Sequence, residues 1–173
     1  MNVVDLLRQS RVKIPWKKYY TKEELKFKVE DISIYEMFKR SALNNLSYPA
    51  VNYYGRVYSY KDFLKRIDRA ALSFSRIGVK KGDIVTICMP NTPESFALIY
   101  AINKIGAICN IIHPLSSTQD IERALKETNS SIIFCSDVAM SKARHIKVKH
   151  FIMVPTSESL GKFLKTLYIL NHL

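Results

Sequence analysis

A helical spacing and a strand-like pattern of apolar residues alternate along residues 57–135. From Tyr60 to Ile77, apolar side chains recur every three or four residues, as on one face of an amphipathic helix. The opposite face of this helix carries charged residues, among them Arg66 and Arg69. Three apolar runs are too short for a helix and are typical of buried strands: residues 84–89, 107–112 and 131–135.

Capping and turn residues separate these segments. Ser59 with Asp62 has the form of a helix start, and residues 91–94 (Asn-Thr-Pro-Glu) supply a cap, a proline for the first helical position and an acid for the first turn. Gly78 follows the last apolar residue of the first helix, where a left-handed cap is expected. The alternation predicts an α/β fold in three layers, with a mostly parallel sheet between helices on both faces.

The pattern continues beyond this stretch in the C-terminal direction. A third helix is predicted to open at residues 116–120, with Ile121, Ala124 and Leu125 facing inward. After the strand that ends at Cys135, three further elements are predicted: a short helix from Asp137 to about His145, a fourth parallel strand over residues 151–154, and a helix within residues 160–172.

The N-terminal part is less regular. Residues 33–44 predict an amphipathic helix whose inward-facing side chains are Ile34, Met37, Phe38 and Leu43. Residues 48–60 predict a small antiparallel hairpin that turns at Gly55 and Arg56. Residues 3–7 predict a short helix and residues 11–20 an extended arm that carries aromatic side chains. We therefore divide the chain into an N-terminal arm with helices, residues 1–48, and an incomplete α/β subdomain, residues 49–173.

Composition narrows the functional classes. The 27 Lys and Arg residues exceed the 15 Asp and Glu residues and give a net charge of +12. Such an excess suits nucleic acid, anionic membranes or anionic ligands. The bases are, however, spread over the solvent faces of helices, and the aromatic residues do not interleave with them on one surface, so we do not expect nucleic-acid binding. The three cysteines have no disulfide or zinc spacing, which favours reduced thiols and a cytoplasmic protein.

Targeting signals are not expected either. The first residues lack the apolar core of a signal peptide, and no apolar run has the length of a transmembrane segment.

Four motifs, in this order and spacing, resemble the amino-terminal part of the acyl-adenylate-forming enzymes, the AMP-dependent synthetase/ligase superfamily, and its acyl-CoA synthetase branch in particular. They are Tyr-Ser-Tyr-x-x-Phe at residues 58–63, Gly-Val-Lys-Lys-Gly-Asp-Ile-Val at 78–85, Met-Pro-Asn-Thr-Pro-Glu at 89–94, and Ala-x-x-Lys-x-Gly-Ala at 101–107 with His-Pro-Leu at 113–115. The resemblance extends over residues 50–154. It implies a large N-terminal domain of which this chain forms part.

The resemblance also implies a reaction. In such enzymes a carboxylic acid attacks the α-phosphate of ATP to give an acyl-adenylate and pyrophosphate, and the thiol of coenzyme A then takes the acyl group. Magnesium, a Ser/Thr/Gly-rich phosphate loop ending in Lys, an acid for the ribose and a lysine of a C-terminal domain take part. The loop and the lysine are not recognisable here, so we expect an N-terminal fragment of such an enzyme. The arm around Pro15 and Trp16 and the helix before the hairpin resemble the long-chain and medium-chain acyl-CoA synthetase branch, which implies a fatty acid ligase. We expect the chain alone to be inactive, to carry no catalytic residue and to bind none of these cofactors tightly.

Two residues are candidate substrate contacts. Asn91 and His113 each follow a predicted strand, at the edge of an α/β sheet where ligands bind. The simpler interpretation is that Asn91 belongs to a helix cap and that His113 is a turn residue held by the backbone. No metal site is expected, because His145 and His150 have no standard ligand spacing and no carboxylate nearby.

A second functional class remains open at this point. The chain would then be a free-standing α/β module that binds an anionic ligand or a protein partner without catalysis. The synthetase hypothesis predicts instead an apolar edge that the missing remainder of the enzyme covers, and through which the fragment self-associates.

Overall fold

The computed structural model describes residues 15–28 and 30–171. The chain divides into two compact units, Met1–Asp31 and Ile32–Leu173. The helix predicted at residues 3–7 lies outside the described residues.

The described part of the first unit contains two short 3-10 helices, Pro15–Tyr19 and Glu24–Lys26. The predicted extended arm is therefore wrong for the first of these segments. The fixed φ of Pro15 suits a helical turn as well as an extended chain. The Tyr20 amide donates a hydrogen bond to the Lys17 carbonyl at 3.3 Å, which closes that turn.

Within the described residues, the second unit contains six α-helices and six strands. The helices are α1 (Ile34–Leu43), α2 (Tyr60–Arg76), α3 (Pro93–Lys104), α4 (Thr118–Glu127), α5 (Asp137–Ala143) and α6 (Lys162–Asn171). The strands are β1 (Pro49–Tyr53), β2 (Arg56–Ser59), β3 (Ile84–Cys88), β4 (Ile108–Ile111), β5 (Ile132–Ser136) and β6 (His150–Val154).

The strands form two sheets. Strands β1 and β2 make the predicted antiparallel hairpin, but its turn lies at Tyr54 and Gly55, one residue earlier than predicted. Both turn residues have positive φ, 48° and 81°, as a type I′ turn requires. The other four strands form a parallel sheet in the order β4-β3-β5-β6. This confirms the predicted α/β fold with a parallel sheet.

Helices cover both faces of the parallel sheet. Alternate residues of β3 point to opposite faces, so Val85 and Ile87 pack in the cluster under α1, α2 and α3, whereas Cys88 packs under α4 and α5. The predicted inward residues of α2 and α4 lie in these clusters, with Ile67 and Ile121 fully buried. The central strands β3 and β5 are therefore covered by apolar side chains from two helix layers.

Helix α1 presents a different face from the one predicted. Three residues predicted to face inward are more than half exposed: Ile34, Met37 and Leu43. Tyr35 and Ala42 are buried instead, and the Phe38 ring stacks on Tyr100 with centroids 4.6 Å apart. The Tyr35 amide also donates a hydrogen bond to Oδ1 of Asn103 in α3 at 2.8 Å. This tertiary contact fixes the rotation of α1, and the apolar spacing alone does not reveal it.

The predicted helix ends are confirmed. Ser59 and Thr92 cap α2 and α3, and Thr92 forms a capping box with Ser95. Gly78 has φ +83° just after α2, and the amide of Val79 reaches back to the carbonyl of Phe74 at 3.0 Å. This is the hydrogen bond of a left-handed C-terminal cap.

We expect the substitution Thr92→Ala to lower the free energy of unfolding by about 1 kcal/mol, because it removes the acceptor for the Ser95 amide. Chemical denaturation followed by circular dichroism measures the change. Thr166→Ala, on an exposed helix surface, is the control and should change stability by less than about 0.5 kcal/mol. A Thr92→Ala variant as stable as the wild type would contradict the capping role.

Candidate functional site

The carboxyl edge of the parallel sheet contains a topological switch point between β3 and β5. Strand β3 leads into α3 on one face, whereas β5 leads into α5 on the other face. The two connections therefore diverge and leave a crevice at the strand ends. In open α/β sheets, ligands bind in such crevices.

Asn91 lies at this edge, in the connection from β3 to α3. Its side chain is exposed, while the neighbouring Thr92 is buried and occupied with the capping box. Thr92, and not Asn91, is thus the cap residue. Asn91 is left available to a ligand at the switch point.

His113 follows the adjacent strand β4 and is also exposed. Its Nδ1 accepts a hydrogen bond from the Leu115 amide at 3.2 Å, and its carbonyl accepts one from the Ser116 amide at 3.0 Å. The turn therefore holds the imidazole in place. Asn91 and His113 lie on the same edge of the sheet, after neighbouring parallel strands.

A carboxylate on the other side of the crevice organises the segment after β6. Oδ1 of Asp137 accepts hydrogen bonds from the Thr156 amide at 3.1 Å and from the Thr156 hydroxyl at 2.8 Å, and Oδ2 accepts one from the Tyr168 hydroxyl at 2.8 Å. Partial burial would raise the pKa of Asp137, but the hydrogen bonds from Thr156 and Tyr168 outweigh it and lower the pKa. The Asp137 carboxylate thus joins α5, the end of β6 and α6.

A partly buried ion pair joins α2 to the first turn of α3. Glu94, in the first turn of α3, is only 8% exposed, and its Oε1 accepts a hydrogen bond from Nη2 of Arg66 at 2.6 Å. The Ser159 hydroxyl donates to the same oxygen, and the Tyr58 hydroxyl donates to Ser159 at 3.1 Å. The Arg66 guanidinium lies over the Tyr58 ring, 4.7 Å from its centroid. The expectation that Arg66 belongs to a solvated charged face is therefore wrong.

Neither this cluster nor the set of hydrogen bonds to Asp137 is predictable from motifs in the sequence. One signal was available for Glu94. The residues after it in α3 are apolar on almost every side, so that helix packs against neighbours all round, and an acid at its start is expected to be buried with a basic partner. The identity of that partner depends on how α2 packs on α3.

The three cysteines are free, as predicted. Burial raises the pKa of the Cys109 thiol to about 11. Cys88 and Cys135 are register partners on β3 and β5, and both are buried. The interaction between these two neighbouring thiols lowers the pKa of Cys88 and raises that of Cys135. Because burial raises its pKa, Cys109 remains a neutral thiol at physiological pH.

In the part of the chain that the structure describes, no three His, Cys, Asp or Glu side chains converge in the way that a metal ion needs. No helix among these described residues combines the length and the apolar character that crossing a bilayer requires.

A match to a known protein family shows which family this chain belongs to. The family described as AMP-binding enzyme matches residues 38–165, which include the parallel sheet, both helix layers and the crevice. This chain belongs to the AMP-binding enzyme family.

Curated proteins similar to this chain include acetyl-coenzyme A synthetase 1 of Candida albicans, 27% identical over 124 residues, a match that covers 68% of this chain and 18% of that protein. The 3-hydroxypropionyl-coenzyme A synthetase of Metallosphaera sedula is 30% identical over 94 residues, with 54% and 14% covered. The matched part of this chain therefore spans less than a fifth of the length of these relatives.

Solved structures share this fold. A fatty acyl CoA synthetase of Mycobacterium tuberculosis superposes with a TM-score of 0.65 at 21% identity, over 78% of this chain and 28% of that one. This agreement confirms the architecture of this chain. It also confirms that the described sheet corresponds to a limited part of a larger fold.

We expect Arg66→Met to lower the free energy of unfolding by about 3 kcal/mol, because it leaves the carboxylate of Glu94 buried without its charge partner. The double variant Arg66→Met/Glu94→Leu should recover part of this loss, since it removes both charges. Denaturant unfolding of the single and double variants measures the coupling. Lys65→Met, an exposed position on the same helix, is the matched control. If the changes in the free energy of unfolding of the two single variants add up to that of the double variant, Arg66 and Glu94 are not coupled.

We expect Asp137 to stabilise the fold only while it is ionised. Its folded-state pKa is lowered, so its contribution is present above the ordinary carboxyl pKa of about 4 and is lost as the pH falls through the folded-state value. The stability difference between wild type and Asp137→Asn should therefore be constant above about pH 5 and shrink below pH 4. Thermal melts across this range measure it.

The control for this prediction is Thr156→Val, which removes a hydroxyl that donates to Asp137. It should weaken the acid dependence of stability while leaving the carboxylate in place. A stability difference for Asp137→Asn that is independent of pH would show that the hydrogen bonds do not depend on the charge.

Proposed function

We propose that this chain is the amino-terminal portion of an ATP-dependent acyl-CoA synthetase. The observation that carries the proposal is the family match over residues 38–165, on a sheet whose carboxyl edge has an open switch point. The reaction converts a carboxylic acid, ATP and coenzyme A into acyl-CoA, AMP and pyrophosphate through an acyl-adenylate. The names of the curated relatives, an acetyl- and a 3-hydroxypropionyl-coenzyme A synthetase, support this reaction class.

Within this enzyme, the chain supplies the parallel sheet, its core and part of a pocket wall. Asn91 and His113 are the proposed substrate contacts, because both are exposed on the edge where ligands of α/β sheets bind. An amide and an imidazole donate hydrogen bonds to anionic or carbonyl oxygens, the groups that all three substrates carry. We assign the phosphate loop, the magnesium ligand and the catalytic lysine to the remainder of the enzyme, so that the chain alone is inactive.

The domain division and the compartment are part of the same proposal. We propose a division into an N-terminal part, residues 1–48, and an incomplete α/β subdomain, residues 49–173, of an enzyme that works in the cytoplasm. Three free cysteines without a disulfide support a reducing compartment.

The proposed acid is a fatty acid, on the basis of the arm around Pro15 and Trp16 and of the helix before the hairpin, which resemble the long-chain and medium-chain branch. The competing assignment is a short acid, which the names of the curated relatives favour. Chain length of the preferred substrate distinguishes the two.

The exposed apolar residues suggest what the remainder covers. Large apolar side chains are exposed along the edge strand β4 and on α6, namely Ile108, Ile111, Phe163 and Leu170. We propose that the rest of the enzyme packs there and that the isolated chain self-associates through these residues. Light scattering of the isolated chain at increasing concentration tests this point.

The test of the function begins with the gene sequence beyond the codon for Leu173. If the frame continues into a Ser/Thr/Gly-rich loop ending in Lys, the complete protein should catalyse ATP–pyrophosphate exchange with one acid of a panel from acetate to palmitate. The 173-residue chain should not. His113→Ala and Asn91→Ala in the complete protein should each raise KM roughly tenfold, as expected for the loss of one hydrogen bond to a charged group.

Glu122→Ala, in α4 and away from the strand ends, is the control and should leave KM unchanged. Absence of exchange with every acid would contradict the synthetase proposal. A stop codon directly after Leu173 would favour the alternative, a module that binds an anionic ligand or partner without catalysis.

A further inference from the structure

Residues 15–28, here called the aromatic–lysine segment, expose aromatic and basic side chains side by side. Every residue of the segment is exposed, and neither of its two 3-10 helices has a buried residue. Tyr19 and Phe27 are 76% and 78% exposed, and Trp16 and Tyr20 are each about half exposed. Single exposed apolar side chains are ordinary on a protein surface, whereas a cluster of them indicates an interaction surface.

Local hydrogen bonds give this segment its own structure. The Thr21 amide donates to Oε2 of Glu24 at 2.7 Å, and the Glu24 amide donates to the Thr21 hydroxyl at 3.2 Å, which is the reciprocal pattern of a capping box. In the first 3-10 helix, residues three apart lie on one side, so Trp16 and Tyr19 share a face. The turns are therefore closed by contacts within the segment, and these contacts leave the rings exposed.

The segment is also basic. It contains two acids, Glu23 and Glu24, and five lysines, at positions 17, 18, 22, 26 and 28, so its net charge is +3. All five lysines are exposed. A long lysine side chain can lay its hydrocarbon stem along an apolar surface while its ammonium group reaches an anion. The segment therefore combines apolar rings with a positive charge on the same short stretch of chain.

The exposed apolar residues of the second unit have a different chemistry. Strand β4 exposes Ile108 and Ile111 and contains no charged residue, as expected of a surface that another part of a protein covers. Lysine is depleted in the interfaces between proteins. Tryptophan, tyrosine and phenylalanine together with lysine are instead typical of segments that lie in the headgroup layer of a bilayer. The composition of the aromatic–lysine segment therefore favours a lipid surface over a protein surface.

Nucleic acid also attracts bases and aromatic rings, but the contacts of these rings disfavour it. Stacking on a nucleobase needs a free ring face. The Lys18 ammonium lies over the Tyr19 ring, 4.9 Å from its centroid, and the Trp16 and Tyr20 rings contact each other edge to face at 5.8 Å. The segment has no arginine, the residue that matches phosphate oxygens with two parallel hydrogen bonds. Exposed Phe27 has no polar tip and suits hydrocarbon.

We propose that the aromatic–lysine segment docks this protein on an anionic lipid bilayer. The rings of Trp16, Tyr19 and Phe27 enter the headgroup layer, and the lysines contact the phosphates and carboxylates of the lipids. Fourteen residues in short 3-10 helices are too few to cross the hydrocarbon core, so the segment lies on the surface. This inference goes beyond the proposed function and does not rest on it.

The fluorescence of Trp16 tests the proposal, because Trp16 is the only tryptophan of the chain. The 173-residue chain is titrated with vesicles made of equal parts of phosphatidylcholine and phosphatidylserine. We expect a saturable blue shift of the emission and protection from quenching by acrylamide. Vesicles of phosphatidylcholine alone should bind about a hundredfold more weakly, since each of the three net charges contributes about fivefold. Added salt should weaken the binding to the anionic vesicles.

Variants separate the contribution of charge from that of the rings. Lys17→Gln/Lys18→Gln should weaken binding to the anionic vesicles about 25-fold. Lys61→Gln/Lys65→Gln, at exposed positions of α2, removes the same charge and is the matched control, which should change the affinity by less than about twofold. Phe27→Ser should weaken binding about tenfold, because an apolar side chain no longer leaves water.

Several results would overturn the proposal. Equal binding to both kinds of vesicle, or equal effects of the two double lysine variants, would show that the charge of the segment is not recognised. Tighter binding to a polyuridine oligonucleotide than to the vesicles would assign the segment to nucleic acid. A blue shift that grows with protein concentration without lipid would assign it to contacts between copies of the chain.

Flotation of the complete protein with the anionic vesicles extends the test. We expect the complete protein to float with them. If only the 173-residue chain binds, the remainder of the protein covers the segment and the proposal is wrong. None of these measurements needs ATP or an acid substrate, so their failure is distinguishable from a failure of the synthetase proposal, which the ATP–pyrophosphate exchange assay tests.

Discussion

A parallel sheet with both faces buried is the constraint on which the rest of this structure depends. Parallel neighbours need crossover connections, and each crossover helix covers one face of the sheet. The order β4-β3-β5-β6 requires the chain to cover one face with α3 and the other with α4 and α5. The crevice at the strand ends follows from this division, since the connections after β3 and β5 leave in opposite directions. The strand order and its crossover connections therefore determine both the fold and the position of the candidate site.

The elements that the sequence predicted well are those in which local signals and tertiary packing agree. Helix α2 has an apolar stripe, a capping serine and a terminal glycine, and Phe63 and Phe74 of its predicted face are buried. Strands β3 and β5 are apolar on both faces because both faces are covered. Where local signals are weak, tertiary packing determines which face of a helix is buried. The Tyr35 amide donates a hydrogen bond to Oδ1 of Asn103, and helix α1 therefore buries a different face from the one predicted.

The candidate site was predictable only in part. Asn91 and His113 follow strands, and strand ends are visible in the sequence. The ion pair of Arg66 and Glu94 joins residues 28 positions apart, and the Ser159 hydroxyl reaches Glu94 from 65 positions away. Such contacts depend on how helices pack, which a single sequence does not specify. The pattern of charges on α2 even suggested the opposite, because a helix surface that is polar in isolation becomes an interface when α3 lies against it.

The hydrogen bond from the Leu115 amide to Nδ1 of His113 has a consequence for the chemistry at the sheet edge. A ring nitrogen that accepts a hydrogen bond carries no proton, so the neutral imidazole is held as the tautomer protonated at Nε2. The turn thereby selects one of the two neutral forms of the ring. In that form His113 offers a partner a hydrogen-bond donor and no free basic nitrogen, and proton abstraction at this position would first require the turn to open.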